Sequence, residues 1–319
     1  MRKYRFLHVD VFTEVRFGGN QLAVLVDGQS LSTEEMQKIA LEMNFSETTF
    51  ILPTESTEAN WKVRIFTPRS EIPFAGHPTL GTAFVLAQEG MVKLKEPKTT
   101  INLEMGVGII PVELDVVNKK IGFIQMRQQN PTYGQRLSQP VRIAEALSID
   151  IHEVEETGLP VEVVSCGLPF LYVPIKSLHA VEQMRPDFAL LGNICEEMGA
   201  RGAFIFTQDI VQPASTNSLG TVSDKEFADL RVHSRMFAPG VGVYEDPATG
   251  SASGPLGCYL VKNGVIPPKP IVKIISEQGN EIERPSTLYI EIRMVDNEIV
   301  DVRVGGYVIP VAEGTLFVE

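Results

Sequence analysis

Apolar and polar residues alternate along many short segments of this chain, and a period of two residues predicts β-strands with one buried face. The first part of the chain carries such segments at residues 6–12, 22–26, 44–52, 61–66, 101–104, 109–116 and 121–127. The second part carries them at 161–164, 169–174, 203–207, 231–237 and over most of 271–318, with turns at 278–279 and 296–297. Glu47 stands at the start of the third segment. Strands are therefore predicted throughout the chain.

A helical period of three to four residues replaces the alternation in a few places. Ser32 or Thr33 is predicted to cap a helix whose first turn carries Glu34 and Glu35, where acidic groups face the positive end of the helix dipole. The apolar positions of this helix are Met36, Ile39, Ala40 and Met43. Further helices are predicted at 141–147 and 187–199.

Two glycine-rich stretches, each a loop that becomes a helix, have the same design. Residues 244–257 hold a cluster of Gly, Ser and Thr before an apolar helix face, and residues 74–81 are likewise followed by an apolar run. Setting Gly76 on Gly250, an offset of 174 positions (250 − 76), also sets Gly90 on Gly264 (264 − 90). Repetition on this scale predicts two similar halves, each carrying one glycine-rich helix start.

The segments before these stretches also match, with a longer loop following in the second copy. They are Arg64-Ile65-Phe66-Thr67-Pro68 and Arg235-Met236-Phe237-Ala238-Pro239. Ser251 or Ser253 can cap the second helix, and a cap position in the first helix is the structural alternative for His77. Free backbone N–H groups at the two helix starts would favour an anion.

The length of 319 residues suits two domains of about 150 residues each. We predict an N-terminal domain at 1–130, completed by a C-terminal strand at 303–319, and a C-terminal domain at 131–302.

Two segments fall outside the repeated design. Pro131, Gly134 and Pro140 are predicted to mark the segment that crosses between the domains. The polar stretch 212–224, rich in Ser, Thr and Asn, has no counterpart in the first half and is predicted to be a loop or insertion.

The charge balance and the cysteines narrow the function classes. Twenty-eight basic and 40 acidic residues give a net charge of −12, which argues against a nucleic-acid or membrane-surface binder. Cys166, Cys195 and Cys258 are an odd number without C-x-x-C spacing, so neither a disulfide framework nor a zinc site is predicted. With no membrane-spanning apolar run, the sequence predicts a soluble cytoplasmic protein.

Ser253 lies in a G-x-S-x-G pattern, the signature of a hydrolase nucleophile, and a serine hydrolase is therefore one alternative. Two features argue against it. A polar segment with a proline precedes the pattern where an apolar strand is needed, and no histidine follows Ser253.

Other familiar site patterns are incomplete. The stretch Gly76 to Gly81 has phosphate-loop spacing, but Thr82 stands where that loop needs Lys. The Gly-x-Gly pairs at 106–108 and 240–242 lack the third glycine of a dinucleotide site, and the five histidines offer no close metal-ligand pair. A two-thiol racemase would need a cysteine at each helix start, and Cys258 lies well inside its helix.

The remaining candidates are groups that handle protons: Glu47 on a strand, and His77, Asp246 and Ser251 at the two helix starts. Each has a structural explanation as a cap, a loop residue or a solvated strand end. Their shared position at repeated helix starts favours a functional explanation for the set.

Four motifs together resemble those of the phenazine-biosynthesis PhzF-like isomerase family. They are Phe17-Gly18-Gly19-Asn20-Gln21-Leu22-Ala23-Val24, Asn44-Phe45-Ser46-Glu47-Thr48-Thr49-Phe50, Phe74-Ala75-Gly76-His77-Pro78-Thr79 and Glu245-Asp246-Pro247-Ala248-Thr249-Gly250-Ser251-Ala252. The C-terminal Glu277-Gln278-Gly279 and Arg284-Pro285-Ser286 also resemble its motifs, with Glu283 where members often carry Gly. These motifs span residues 17 to 286 in order.

The resemblance implies the α+β fold of diaminopimelate epimerase. In that fold two pseudo-symmetric domains each wrap a β-barrel-like sheet around a central helix, and the active site lies in the cleft between them. The epimerases carry a Cys at each helix start, where this chain has Gly76 and either Gly250 or Ser251.

By resemblance, one Glu moves a proton between carbons of trans-2,3-dihydro-3-hydroxyanthranilate, and no cofactor is needed. Glu47, His77 and Asp246 occupy the catalytic positions, with Gly76, Gly250, Ser251 and Ala252 as substrate-binding positions. A small carboxylate substrate and a homodimer are the partners that the family suggests. A protein of this fold that binds a small anion without turnover is the other alternative.

Overall fold

The structure, a computed structural model, describes residues 1–210 and 228–319, so the predicted insertion at 212–224 lies outside the described residues. The chain forms two compact units. Unit 1 consists of Met1–Arg127, Glu283–Ser286 and Gly305–Glu319, and unit 2 consists of Gln128–Ile282 and Thr287–Val304. The predicted domain bounds stay a prediction, since compactness does not show that a unit folds on its own.

Unit 1 combines strands from both ends of the chain with two helices. Its elements are β1 Arg2–Val11, β2 Asn20–Leu25, α1 Thr33–Met43, β3 Glu47–Leu52, β4 Trp61–Phe66, β5 Glu71–Ile72, α2 Gly76–Gln88, β6 Lys98–Met105, β7 Gly108–Val117, β8 Lys120–Gln128 and, from the C-terminal end, the strand Val308–Val318. That last strand is β18 in chain order. It pairs with β1 from Arg2↔Val318 to Val11↔Val308.

Helix α2 is the centre of unit 1. The strands pair in the order β18, β1, β2, β3, β4, β6, β7 and β8. Helix α2 contacts β1, β2, β3, β6, β7 and β18, so the sheet surrounds it. The close approach needs a glycine, because a Cβ at Gly81 would lie 2.5 Å from Cδ2 of Leu22 and 2.9 Å from Cγ2 of Val11.

Helix α1 begins where the sequence predicts. Ser32 is its N-cap, and the Ser32 hydroxyl accepts the Glu35 N–H while the Glu35 carboxylate accepts the Ser32 N–H, which is a capping box. Asn44 ends the helix in the left-handed conformation, with φ of 52°. The chain then enters β3 at Glu47, as predicted.

Unit 2 has the same plan with more helices on its outside. Its elements are β9 Thr132–Arg136, α3 Pro140–Leu147, α4 His152–Glu155, β10 Glu162–Ser165, β11 Pro169–Pro174, α5 Leu178–Gln183, α6 Phe188–Glu197, β12 Ala203–Thr207, β13 Leu230–Ala238, β14 Val243–Asp246, α7 Gly250–Lys262, β15 Ile271–Gln278, β16 Ser286–Val295 and β17 Glu298–Gly306. Strands β9 to β13 pair in chain order, and β13 also pairs with β14 and with β15.

Helix α7 fills the centre of unit 2. Leu256, Tyr259 and Leu260 of the helix pack in one buried cluster with side chains of the surrounding strands, among them Phe204 and Ile290. A second buried cluster lies between the sheet and the outer helices α3, α5 and α6. The α+β fold with one central helix in each half is therefore as predicted.

The internal repeat is confirmed residue by residue at the central helices. Helices α2 and α7 each have 13 residues and begin at Gly76 and Gly250, the two glycines that the repeat superposes. The arginine that precedes each central helix makes the same two contacts in both units, an ion pair with a glutamate and a cation–π contact with a phenylalanine. Arg64 pairs with Glu71 and lies 5.1 Å from the Phe66 ring centre, and Arg235 pairs with Glu245 and lies 5.0 Å from the ring of Phe237.

Several local predictions are wrong. Asp246 ends the short strand β14 instead of lying in a loop. The N-caps of α2 and α7 are Ala75 and Thr249, so His77, Ser251 and Ser253 lie inside the helices. Propensity favours Ser at a cap, but the close packing around α2 and α7 sets where these helices begin.

Candidate active site

Glu47 and His77 meet in unit 1. Glu47 is the first residue of β3 and pairs with Leu22 of the parallel neighbour β2, while His77 is the second residue of α2. Their Oε2 and Nε2 atoms are 3.3 Å apart, and their side chains are 14% and 4% exposed. A carboxyl and an imidazole thus face each other in a nearly dry setting.

The imidazole of His77 is neutral. Burial lowers its pKa to about 3, against the opposing effect of a hydrogen bond with the backbone of Gln21. Among the described residues Nε2 of His77 has no hydrogen bond of good geometry, so Nδ1 donates to the Gln21 carbonyl and Nε2 presents its lone pair to Glu47. The 3.3 Å separation falls within ion-pair range, but a neutral ring makes it a contact between a carboxyl and a base.

The buried neutral His77 predicts a loss of stability in weak acid. Its pKa is about 3 in the folded chain and about 6.5 when unfolded, so between these values the unfolded state binds the extra proton and stability falls as the pH falls. Between pH 7 and pH 5 this difference in pKa lowers the free energy of unfolding by about 2 kcal/mol. The variant His77→Gln lacks this imidazole. In urea unfolding, we therefore expect its free energy of unfolding to fall by about 2 kcal/mol less than that of wild type between pH 7 and pH 5.

His179→Gln serves as the control for this pH experiment, because it removes one imidazole that is exposed. The control should follow the wild-type pH dependence. Equal losses for wild type and His77→Gln would contradict the assignment of a buried neutral His77.

A buried ion pair fixes the turn that precedes β2. Asp10 is fully buried, and its Oδ1 accepts a 2.6 Å hydrogen bond from Nη2 of Arg284. Arg284 also donates to the carbonyls of Gly18 and Gly19, at 2.6 and 3.0 Å. Glu283, where the family often has Gly, has φ of 58°, a left-handed conformation that Gly adopts without strain. The Arg284 motif therefore acts on the Gly18-Gly19 motif directly.

Asp246 belongs to a hydrogen-bonded network at the start of α7 in unit 2. Its Oδ2 accepts from the Thr249 hydroxyl at 2.6 Å. The side-chain amide of Gln278 donates to the Asp246 carbonyl at 2.7 Å and accepts from the Thr249 N–H at 3.1 Å. Gln278 thus holds the loop in place, which gives a physical role to the middle residue of the Glu277-Gln278-Gly279 motif.

Side chains from other elements hold the backbone of the first turn of α7. The Gly250 carbonyl accepts from the Gln128 amide at 2.8 Å, and the Ala252 carbonyl accepts from the Tyr172 hydroxyl at 2.6 Å. Neither α2 nor α7 has a side-chain hydrogen bond at its N-cap, in contrast to α1, α5 and α6. Their first-turn N–H groups are therefore not used by a cap, whereas the Ala252 N–H already bonds to the Thr249 carbonyl.

Ser253 is fully buried, and its hydroxyl donates to the Thr249 carbonyl at 2.9 Å. A hydroxyl committed to its own helix backbone, without exposure, is not placed for attack on a substrate. The structure therefore argues against the serine hydrolase alternative.

The described residues were also compared with the requirements of metal and membrane sites. Within 1–210 and 228–319, no group of three or more His, Cys, Asp or Glu side chains is placed to hold a metal ion. Cys166, Cys195 and Cys258 are buried free thiols. No helix in these ranges is both long and apolar enough to span a bilayer.

Sequence reasoning named candidate site residues but not the residues that hold them in place. It named Glu47, His77 and Asp246, and the structure brings Glu47 and His77 into contact. It missed Asp10, as well as the positioning by Gln278. Asp10 alternates with apolar neighbours in β1 like an ordinary strand residue, and its partner is 274 positions away.

Proteins of known class share this architecture. The trans-2,3-dihydro-3-hydroxyanthranilate isomerase of Pseudomonas aeruginosa is 33% identical over 317 residues, 98% of this chain and 99% of that protein. A PhzF-family phenazine biosynthesis protein of Bacillus anthracis superposes with a TM-score of 0.85 at 26% identity, over the whole of both chains. A hydroxyproline epimerase of Agrobacterium vitis shares the fold with a TM-score of 0.68 at 12% identity, over 99% of this chain and 92% of that chain.

These relatives and the two-unit fold define an isomerase of the epimerase-like architecture. The family described as phenazine biosynthesis-like protein matches residues 9–314. The chain belongs to this PhzF family.

Proposed function

We propose that this enzyme shifts a proton between carbons of a small, cyclic and unsaturated carboxylate or amino acid, with Glu47 as the general acid and base. The contact that carries the proposal is the 3.3 Å approach of Glu47 Oε2 to the neutral His77. A carboxyl in this setting can give a proton to one carbon and take one from another.

Such a shift balances without a further reactant. One C–H bond breaks, the carbon–carbon double bond migrates and a new C–H bond forms, so no electrons are gained or lost. The proposal therefore includes no cofactor.

Substrate binding is assigned to the helix starts. The first turn of a helix favours an anion. The N–H group of Gly76 in unit 1, and those of Gly250 and Ser251 in unit 2, are therefore proposed as carboxylate-binding groups, each within its own unit. Asp246, fixed by Thr249 and Gln278, is proposed to orient and share protons. Ala252 stays a predicted binding residue, and we place its contribution in holding the first turn through Tyr172.

Proton NMR of trans-2,3-dihydro-3-hydroxyanthranilate with the protein in D2O tests the proposal. The compound is chosen because the Pseudomonas aeruginosa relative is named for its isomerisation. We expect bond migration with deuterium at the carbon that gains the proton. Unchanged substrate signals would reject this substrate, and binding without deuterium incorporation would favour the anion-binding alternative.

Ser253→Ala should leave turnover within about twofold of wild type, because its hydroxyl serves the helix backbone. The lost hydrogen bond should cost about 1 kcal/mol of stability. Ser251→Ala, two residues earlier in the same turn, is the matched variant and should raise KM. Loss of turnover in Ser253→Ala alone, in the same NMR assay, would revive the hydrolase interpretation.

A further inference from the structure

The starts of the two central helices share one hydrogen bond, which sets their correspondence. In unit 1 the Thr79 hydroxyl donates to the Ala75 carbonyl at 2.6 Å, and in unit 2 the Ser253 hydroxyl donates to the Thr249 carbonyl at 2.9 Å. Each residue of the second bond lies 174 positions after its counterpart (249 − 75 and 253 − 79). Ala75 of unit 1 therefore corresponds to Thr249 of unit 2.

A strand end at each helix start repeats as well. Glu104-Met105-Gly106 and Glu277-Gln278-Gly279 are 173 positions apart (277 − 104), and their middle residues end the strands β6 and β15. Both strands belong to parallel pairs, β6 with β4 and β15 with β13. Sδ of Met105 accepts from the Thr79 hydroxyl of α2 at 3.5 Å, as the Gln278 amide binds at the start of α7. Met105 therefore corresponds to Gln278.

These two positions are apolar in unit 1 and polar in unit 2. Ala75 and Met105 are 7% and 6% exposed, and Thr249 and Gln278 are 5% and 0% exposed. Unit 1 thus begins a central helix of the same 13 residues with an alanine and a methionine. Buried polar side chains cost free energy unless they are hydrogen-bonded. The Thr249–Gln278 pair is therefore not needed to start the helix, and its bonds lead to Asp246.

The hydrogen bonds of this pair have only one possible direction. The Thr249 N–H can only donate, so the amide atom 3.1 Å from it is Oε1 of Gln278. The two amide hydrogens on Nε2 then go to the Asp246 carbonyl at 2.7 Å and to the Thr249 hydroxyl oxygen at 3.0 Å. The single proton of that hydroxyl is directed to Oδ2 of Asp246, at 2.6 Å. Gln278 thus determines which way the Thr249 hydroxyl points, and the hydroxyl holds the carboxylate.

We propose that Thr249 and Gln278 are positioning residues, which fix the orientation of the Asp246 carboxylate for the reaction on a helix start that folds without them. Thr249 acts on the carboxylate directly, and Gln278 acts through Thr249. The inference rests on the proposed function, because it takes Asp246 to face the substrate.

The double variant Thr249→Ala with Gln278→Met tests the inference, because it gives unit 2 the two residues that unit 1 has. We expect the far-UV circular dichroism spectrum of the wild type. With trans-2,3-dihydro-3-hydroxyanthranilate, kcat should fall roughly 10- to 100-fold while KM stays within about threefold, since a reacting group misplaced by about 1 Å costs on the order of 10²-fold in rate. Thr249→Ser keeps the hydroxyl and should retain kcat within about threefold of wild type.

Ser253→Ala is the matched control, since it removes a hydroxyl of the same helix start whose bond goes to the helix backbone. It should keep the kcat of wild type within about twofold. A double variant that does not fold, or one that folds and keeps the kcat of wild type, would overturn the inference.

Crystal structures of the wild type and the double variant give a readout without turnover. We expect the Asp246 carboxylate in one orientation in the wild type, and in another or in several in the variant, with the backbone of 246–254 unchanged. An unchanged carboxylate would overturn the inference. If the wild type leaves the substrate unchanged, the proposed function fails for this substrate, and the two crystal structures still decide the positioning role.

Discussion

Glu47→Gln is expected to lower turnover about 10³-fold or more, within the range that general acid–base catalysis supplies. The amide keeps the size of the carboxyl and its place beside His77, but it has no proton to exchange with carbon. Binding should stay within a few-fold of wild type. The measurement is deuterium incorporation into trans-2,3-dihydro-3-hydroxyanthranilate, run with calorimetric binding on the same preparation.

Glu42→Gln provides the comparison for that experiment, because Glu42 is an exposed carboxylate five positions before Glu47. It should exchange at the wild-type rate. If Glu47→Gln keeps exchange within tenfold of wild type, another group carries the proton and the proposed mechanism is lost.

Asp10→Ala is expected to destabilise unit 1 by about 3 kcal/mol or more, since it leaves the Arg284 guanidinium without its buried partner. It also removes the acceptor of the Phe17 N–H. The chain has a single tryptophan, Trp61, which lies in β4 of unit 1. Its fluorescence in urea therefore reports this unit, and the midpoint should fall by about 1–3 M.

Two further variants test whether the loss of stability in Asp10→Ala comes from the buried ion pair with Arg284. Arg5→Ala breaks exposed ion pairs with Glu89 and Glu313 in the same unit and should cost at most about 1 kcal/mol. Asp10→Ala combined with Arg284→Met should cost less than the sum of the single changes, because neither charge is then left alone. Additive effects would show that the pair does not act as a unit.

The sequence predicted those elements whose starting residues lie within a few positions of each other. Ser32 and Glu35 are three residues apart and define their capping box within one turn, so the start of α1 was predictable. The two central helices were found because Gly76 and Gly250 repeat with their surroundings. Burial around α7 then overrode the capping preference of Ser251 and Ser253.

Long-range partners could not be predicted in the same way. His77 and Glu47 are 30 positions apart, and only the folded sheet brings β3 to the start of α2. Asp10 and Arg284 are 274 positions apart. Neither pair leaves a periodic pattern in the sequence, so the residues were recognised through family motifs or, for Asp10, not at all.

The pairing of β1 with β18 has a consequence for the order of synthesis. Arg2 is opposite Val318, so the ribosome makes the partner of β1 about three hundred residues after β1 itself. At bacterial or eukaryotic elongation rates this delay is on the order of tens of seconds. During that time one edge of β1 is open to misplaced strands, whereas the strands of unit 2 from β9 to β15 find their neighbours much sooner. Nascent unit 1 is thus the part of this protein with the longer need for a chaperone.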